Sequence, residues 1–199
     1  APVQVRRLAD AATFTGHLAS LGIDLPFDSE VVVGSGSPLA QPLEVRDGSA
    51  GTLLVGNRWT VLPMEGWDGT TDGRPTDLVY RRWARFGESG AKLVWGGEAV
   101  AVGPGGRANP NQLCIGPNSP EDLAELRSVL VDAHVERFGS ADDLLVGLQL
   151  THSGRWAQPE GEAAPRTAYR HPLLDGRVGA SGQSVLSDDE LDGLSDDFV

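Results

Sequence analysis

The chain has very little of several features that would place it in a specialised class of protein. Among 199 residues it contains a single cysteine, Cys114, so an internal disulfide framework is excluded and a reducing compartment is favoured. No apolar run approaches the roughly 18 residues that a membrane-spanning helix needs. Basic residues are few, because 16 Lys and Arg oppose 28 Asp and Glu and leave a formal net charge of −12. We therefore expect an acidic, cytoplasmic protein without nucleic-acid or membrane partners.

The amino-terminal part of the sequence predicts a helix and an accessory hairpin. Residues 8–22 carry apolar side chains at roughly helical spacing, whereas glycine and proline make 23–42 loop-like. The segments 43–46 and 52–55 resemble the two strands of a hairpin. We interpret residues 1–56 as a helix and hairpin extension that precedes the main sheet.

From residue 57 onwards, predicted strands alternate with predicted helices. Apolar runs predict strands at 59–64, 92–102 and 144–151. Longer stretches with an apolar side predict helices at 77–87 and 120–138, between the strands. This order is typical of an α/β protein with a parallel sheet and crossover helices.

Capping residues mark where the predicted helices begin. Asp77 is a candidate N-cap for the first helix, and Ser119, followed by proline, is one for the second. Ser187 and Glu190 form a capping box that predicts a further helix after the long polar loop 156–186. Loops of this length are usually functional or disordered.

Residues 57–199 hold about three βα units, which are too few to close a barrel. A closed eight-stranded barrel needs about 250 residues. Three parallel strands alone would leave an unpaired edge and an open apolar face. We therefore expect 57–199 to be the N-terminal portion of a (β/α)8 TIM barrel, incomplete at the C-terminus and completed by the same polypeptide or a second chain. A self-contained three-stranded sandwich is the alternative.

The third predicted strand is apolar along its length but ends in the polar run Thr151–Arg155. Such a strand typically delivers polar groups to the C-terminal mouth of a barrel. Gln149 is an exception within the apolar part, since it lies between Leu148 and Leu150. A buried amide without hydrogen-bond partners costs about 1–3 kcal/mol. Either neighbouring backbone satisfies Gln149, or a bound polar heterocycle does.

Three motifs in this region resemble the Old Yellow Enzyme family of flavin oxidoreductases. They are NRWTVLPMEGW at 57–67, GEAVAV at 97–102 with Gly106-Arg107, and LQLTHSGR at 148–155. They are similar, in this order, to the first three strand motifs of the family barrel. The resemblance implies a (β/α)8 barrel with FMN at its C-terminal mouth. It also implies hydride transfer from NAD(P)H through the flavin to an electron-poor alkene or related acceptor.

The resemblance assigns candidate cofactor-binding residues. Pro63 and Met64 should line the isoalloxazine ring, and Ala99 should leave room for it. Gln149 should hydrogen-bond the pyrimidine edge of the ring, which offers both donors and acceptors. Glu65 stands where relatives often have Thr or Cys, and it would either lower the flavin potential or face solvent.

Other positions carry weaker expectations, and no residue is assigned a catalytic role. Trp67 replaces a Tyr found in some relatives, so it cannot donate a phenolic proton; it would stack on a substrate or only pack within its loop. His152 is expected to orient the strand end, and Arg155 to support the 156–186 loop or an interface.

Several parts of the family's site lie on strands that would follow Val199. These are the substrate-binding His-His or His-Asn pair, a basic residue near flavin N1 and the phosphate-binding backbone. The chain would therefore supply only part of the flavin site and bind FMN weakly by itself. Its expected partners are the remaining barrel half and a small enone-type substrate, and a homo-oligomer is compatible with the sequence.

Two other functions compete with the flavin enzyme. A metal enzyme would use the four histidines, His17, His134, His152 and His171, but their spacing fits no ligand motif, so we predict no metal site. A non-catalytic half-barrel, acting as a scaffold or assembly subunit, is the alternative from a different class, because the catalytic half is not in the chain.

Overall fold

The computed structural model describes residues 3–47 and 51–199. The chain divides into two compact units, Ala1–Pro38 and Leu39–Val199. The smaller unit contains helix α1, Ala11–Leu21, whose N-cap Asp10 accepts a hydrogen bond from the Thr13 backbone N–H at 2.7 Å. Gly22 adopts a left-handed conformation with φ 66° and ends the helix. The predicted helix is confirmed, although it begins after its aspartate cap rather than at residue 8.

The larger unit begins with the predicted accessory hairpin. Strand β1, Leu43–Asp47, pairs antiparallel with strand β2, Gly51–Val55. The two strands form a sheet of their own, separate from the main sheet. The hairpin is therefore confirmed, whereas a domain boundary between residues 56 and 57 stays a prediction.

The main sheet contains three parallel strands in the order β3-β4-β5. Their bounds are Thr60–Val61 for β3, Leu93–Ala101 for β4 and Leu145–Thr151 for β5. β3 is much shorter than the predicted 59–64, in part because Pro63 has no N–H with which to continue the ladder. A register shift between Trp95 and Ala99 interrupts the pairing of β4 with β5.

Two long helices pack against one face of this sheet. They are α2, Asp77–Glu88, and α3, Ser119–Phe138, and both were predicted. The buried cluster between them and the sheet consists of Val79, Trp83, Val94, Val100, Leu113, Leu126 and Leu130. Among the residues that the structure describes, no helix is both long and apolar enough to cross a membrane.

Both helices begin differently from the prediction. Thr76, not Asp77, is the N-cap of α2, and its hydroxyl accepts a hydrogen bond from the Leu78 N–H at 3.3 Å. Asn118 takes the N-cap position of α3. Ser119 lies inside this helix, where its hydroxyl accepts a hydrogen bond from the Gly116 N–H at 2.7 Å. In both helices the N-cap is therefore one residue earlier in the chain than predicted.

The helices α2 and α3 cross at Gly87. A Cβ on this glycine would lie 2.1 Å from the Leu130 carbonyl oxygen, so only glycine allows the approach. The buried His134 ring lies beside the crossing, with Nδ1 2.9 Å from the Gly87 oxygen and Nε2 2.9 Å from Lys92 Nζ. Because an ammonium group only donates, Nε2 accepts from Lys92 and Nδ1–H donates to the carbonyl. Lys92 also pairs with Asp143 at 2.6 Å.

Tyr80 links the same two helices, and its titration is a test of this packing. Its hydroxyl donates to Glu125 Oε2 at 2.7 Å, and burial followed by this contact raises the pKa of Tyr80 to about 12.

The phenol of Tyr80 ionises near pH 10 in an unfolded chain. The stabilising contribution is therefore complete below about pH 10 and is lost as the pH rises from about 10 through 12. Absorbance at 295 nm of the wild-type chain minus that of Tyr80→Phe should show a transition near 12. A transition near 10 would contradict the contact.

The long segment 156–186 is more ordered than its composition predicts. It contains the short helix α4, Asp175–Val178, and Asp175 is buried against Arg155 and Arg170. The next helix, α5, covers Asp188–Asp196 and begins with the predicted capping box. In this box the Glu190 carboxylate accepts a hydrogen bond from the Ser187 N–H at 2.8 Å.

Candidate functional site

A recess lies at the carboxyl ends of the three parallel strands. Its volume is about 300 Å³, and it is lined by Pro63, Met64, Glu65, Ala99 and Gln149. We call it the strand-end recess. These are the five residues that the sequence analysis named for the flavin, so the structure brings all of them together. That they hold a flavin stays a prediction.

Ala99 is the buried residue of the recess, with 3% of its surface exposed. Its backbone N–H donates to the Met64 carbonyl at 3.0 Å, and its carbonyl accepts from the Gln112 side chain at 2.8 Å. Both backbone groups are therefore satisfied within the chain. The residue adds only a methyl group to the recess, and a larger side chain would take up its volume.

Gln149 is exposed, and the expectation that it is buried is wrong. The helices cover the opposite face of the sheet, where the neighbouring Val146 and Leu148 pack against the core. An apolar run predicts a strand covered on both sides, but the described residues cover only one side of this strand. Within the described part of the chain, the Gln149 amide makes no hydrogen bond. The amide is therefore available to a ligand.

Trp67 does not line the strand-end recess. It is 68% exposed and borders a neighbouring recess of about 530 Å³, to which Met64 and Glu65 also contribute. The other residues around this second recess are Val61, Leu62, Gly66, Asp68, Arg82, Phe86 and Gly97. Glu65 is exposed and borders both recesses. That Trp67 either stacks on a substrate or packs within its loop stays a prediction.

A partly buried ion-pair network, which the sequence analysis missed, borders the second recess and lies beside the strand-end recess. Glu98 is completely buried and pairs with Arg82 at 2.6 Å, and Arg82 also pairs with Asp68 at 2.8 Å. Burial raises the pKa of the Glu98 carboxyl, and the Arg82 guanidinium opposes that rise. The available signal was a carboxylate inside the otherwise apolar run GGEAVAV, because a buried charge needs a partner.

Two buried amides in the loop 103–118 were also missed. Asn109 and Gln112 are completely buried, and each bonds to backbone near the strand-end recess. Asn109 Nδ2 donates to the Gly66 carbonyl at 3.0 Å, and Gln112 donates to Ala99 as described above. The many glycines and prolines of this loop predict irregular structure. They do not predict that buried side chains of the loop hydrogen-bond to backbone elsewhere in the chain.

His152 and Arg155 have the positions expected of supporting residues. His152 Nδ1 accepts a hydrogen bond from the Gly154 N–H at 3.0 Å, which holds the turn after β5. Burial, assisted by the nearby Arg166, lowers the pKa of His152. Arg155 pairs with Asp175 and donates to the Tyr169 carbonyl at 2.9 Å, so it supports the 156–186 segment.

Comparison with known proteins gives matches in structure only. No family model matches the chain, and no curated protein sequence matches it. The Old Yellow Enzyme from Pichia sp. AKU4542 matches with a TM-score of 0.58 and 16% identity, over 82% of this chain and 41% of that one. The chain has part of the Old Yellow Enzyme fold.

Two further structures agree with this assignment. The Old Yellow Enzyme homologue from Zymomonas mobilis matches with a TM-score of 0.55 and 21% identity, over 80% of this chain and 42% of that one. The structure of TcOYE with pHBA matches with a TM-score of 0.53 and 25% identity, over 81% of this chain and 45% of that one. The chain therefore spans less than half the length of the structures that it matches.

Proposed function

We propose that this chain forms part of the flavin site of an FMN-dependent oxidoreductase of the Old Yellow Enzyme type. The observation that carries the proposal is the strand-end recess, in which three separate segments meet at the carboxyl ends of parallel strands. Active sites of (β/α)8 barrels lie at this end of the strands. The likeness in fold supports the proposal, as does a matching structure of morphinone reductase in complex with tetrahydroNAD, with a TM-score of 0.51.

The residues of the recess fit a flat, nitrogen-rich ring. A volume of about 300 Å³ is at the lower end of the range for ligand pockets, so it suits a ring system rather than a complete nucleotide. The small side chain of Ala99 leaves room for a ring plane. The Gln149 amide both donates and accepts, which matches the pyrimidine edge of a flavin.

FMN, when bound here, would supply hydride transfer between NAD(P)H and an electron-poor alkene. In this proposal Pro63 and Met64 exclude water from the ring, while Gln149 orients its polar edge. The Glu65 carboxylate places negative charge beside the recess, which disfavours further negative charge there. The phosphate-binding and substrate-binding groups would come from outside this chain segment.

We also propose that the remainder of a barrel, from the same polypeptide or a second chain, covers the edge of the sheet at β3. Trp59, Leu62, Met64 and Trp67 follow this edge and are 56%, 70%, 70% and 68% exposed. Large apolar side chains beside an unpaired edge strand usually mark a surface that protein covers. The same surface also favours a second candidate function, a non-catalytic scaffold or assembly subunit.

Replacing Gln149 with Leu tests the flavin site. We expect the wild-type chain to quench FMN fluorescence weakly and Gln149→Leu to bind about tenfold less tightly, because polar ring atoms would lose their partner. The measurement is a fluorescence titration with FMN, checked by the visible absorption spectrum. Gln183→Leu is the matched control, since Gln183 is exposed and lies outside the recess.

Three outcomes are informative. Equal FMN affinity for wild type and Gln149→Leu would remove Gln149 from the site. An equal loss in Gln183→Leu would mean that the effect is not specific to the recess. If neither the chain nor the protein with its completed barrel takes up FMN, the enzyme proposal fails and the scaffold function is favoured.

A further inference from the structure

We propose that Glu98 and Asn109 are positioning residues that clamp Gly66 and thereby hold the segment Met64–Trp67 in place at the strand-end recess. We call the two side chains the Gly66 clamp. Its role toward the flavin rests on the proposed function, whereas its role in holding the segment does not.

The clamp holds both backbone polar groups of Gly66, which belong to the two peptide units on either side of it. Glu98 Oε1 accepts a hydrogen bond from the Gly66 N–H at 2.8 Å, and Asn109 Nδ2 donates to the Gly66 carbonyl at 3.0 Å. Both clamp side chains are completely buried. Gly66 follows Glu65 and precedes Trp67, the two residues singled out as candidates for tuning the flavin or contacting a substrate.

Gly66 is also enclosed sterically. A Cβ at this position would lie 2.8 Å from Arg82 Nη2, from Asp68 Oδ1 and from Glu98 Oε1. The network therefore surrounds the Gly66 backbone closely on the side where any other residue would carry a side chain. Movement of the segment toward this network would displace these side-chain ends, and movement away from it would break the two clamp hydrogen bonds.

The clamp reaches the recess through the neighbouring backbone. Ala99 follows Glu98 in β4 and donates its N–H to the Met64 carbonyl at 3.0 Å. Met64 and Gly66 are thus hydrogen-bonded to two adjacent residues of β4. Glu65 lies between these two hydrogen-bonded positions. Asn109 is in turn fixed, because its Oδ1 accepts a hydrogen bond from the Asn111 N–H at 2.9 Å.

Packing alone does not explain a carboxylate at position 98. Burying a charged group is costly unless it is paired and hydrogen-bonded, and an apolar residue is often as stable or more so. Val94 and Val100 show that β4 packs with apolar side chains elsewhere. Glu98 uses its two oxygens for different elements, Oε1 for Gly66 and Oε2 for Arg82 of α2. An apolar side chain would fill the space but would not hold the Gly66 N–H.

Hydrogen exchange of the Gly66 amide tests the clamp without any flavin. In the 199-residue chain, we expect Glu98→Ala and Asn109→Asp each to accelerate this exchange about tenfold or more, measured by NMR. Asn109→Asp keeps the acceptor for the Asn111 N–H but turns a carboxylate oxygen toward the Gly66 carbonyl. Asp143→Asn is the matched control, because it removes the charge of another ion-paired carboxylate, near the start of β5.

The affinity for FMN tests whether the clamp affects the strand-end recess. We expect the affinity for FMN to fall about tenfold in both clamp variants and to stay at the wild-type value in Asp143→Asn. If circular dichroism shows that Glu98→Ala is unfolded, Glu98→Gln replaces it, with a smaller increase in exchange expected because one acceptor oxygen is retained.

The outcomes separate the clamp from the proposed function. Unchanged Gly66 exchange in both variants, or equal acceleration in Asp143→Asn, would overturn the clamp. Faster Gly66 exchange with unchanged FMN affinity would overturn its role at the recess. A wild-type chain that binds no FMN would contradict the proposed function, while the exchange measurement would still decide whether the clamp holds the segment.

Discussion

Gly87→Ala should lower the free energy of unfolding by about 3 kcal/mol, because the new methyl group has no space at the crossing of α2 and α3. Its Cβ would lie 2.1 Å from the Leu130 carbonyl oxygen and 3.1 Å from the His134 backbone nitrogen. These are backbone atoms, which cannot rotate away as a side chain can. The helices would have to separate, which would loosen the buried cluster and lengthen the His134 contact to the Gly87 carbonyl.

The sign of the change in the free energy of unfolding shows whether packing or helix propensity dominates at Gly87. Alanine is intrinsically better than glycine in a helix by about 1 kcal/mol. Gly193→Ala is the matched control, since Gly193 lies within α5 and a Cβ there would meet nothing within 4 Å. Urea unfolding followed by circular dichroism should show Gly87→Ala clearly destabilised and Gly193→Ala neutral or slightly stabilised. Equal stability of the two variants would show that the helices do not cross closely at Gly87.

Asp175→Ala should destabilise the segment 156–186 by about 3–5 kcal/mol, because it leaves a largely buried cation without its partner. The Arg155 side chain is only 10% exposed and pairs with Asp175, whose side chain is 6% exposed. Asp175 also accepts hydrogen bonds from Arg170 at 2.6 Å and from the His171 backbone N–H at 3.0 Å. One carboxylate therefore joins the end of β5 to the middle of the long segment.

Limited trypsin digestion measures this effect directly. Arg166, Arg170 and Arg177 are exposed cleavage sites within the segment, and their cleavage should become much faster in Asp175→Ala once the segment opens. Asp192→Ala is the control, because Asp192 is an exposed aspartate of α5 that has no hydrogen bond or ion pair in the described part of the chain. If the two variants are cleaved at the wild-type rate, the ion pair does not organise the segment.

Local patterns were sufficient to predict most of the elements. Apolar periodicity predicted α2 and α3, apolar runs predicted the three parallel strands, and the Ser187 and Glu190 pair predicted the start of α5. The resemblance of three short motifs was sufficient to name all five residues of the strand-end recess. These features depend on neighbouring residues or on motifs that are contiguous in the chain.

The failures that concern the candidate site depend on contacts between distant parts of the chain. Whether Gln149 is buried depends on what covers its face of the sheet, which the strand itself does not encode. The partners of Glu98 are 16 and 32 residues away, and Asn109 is 43 residues from Gly66. No periodicity relates such positions. Only the presence of a carboxylate in an apolar strand, and of amides in a glycine-rich loop, indicated that polar partners had to exist.

The chain contains one lysine, and the fold places it where reagents have little access. Lys92 directly precedes the central strand β4, and its side chain is 15% exposed between Asp143 and His134. An endoproteinase specific for lysine therefore has a single internal target, the peptide bond between residues 92 and 93. That bond leads into the strand pairing of the sheet, so its cleavage would report the opening of the main sheet with one unambiguous pair of fragments.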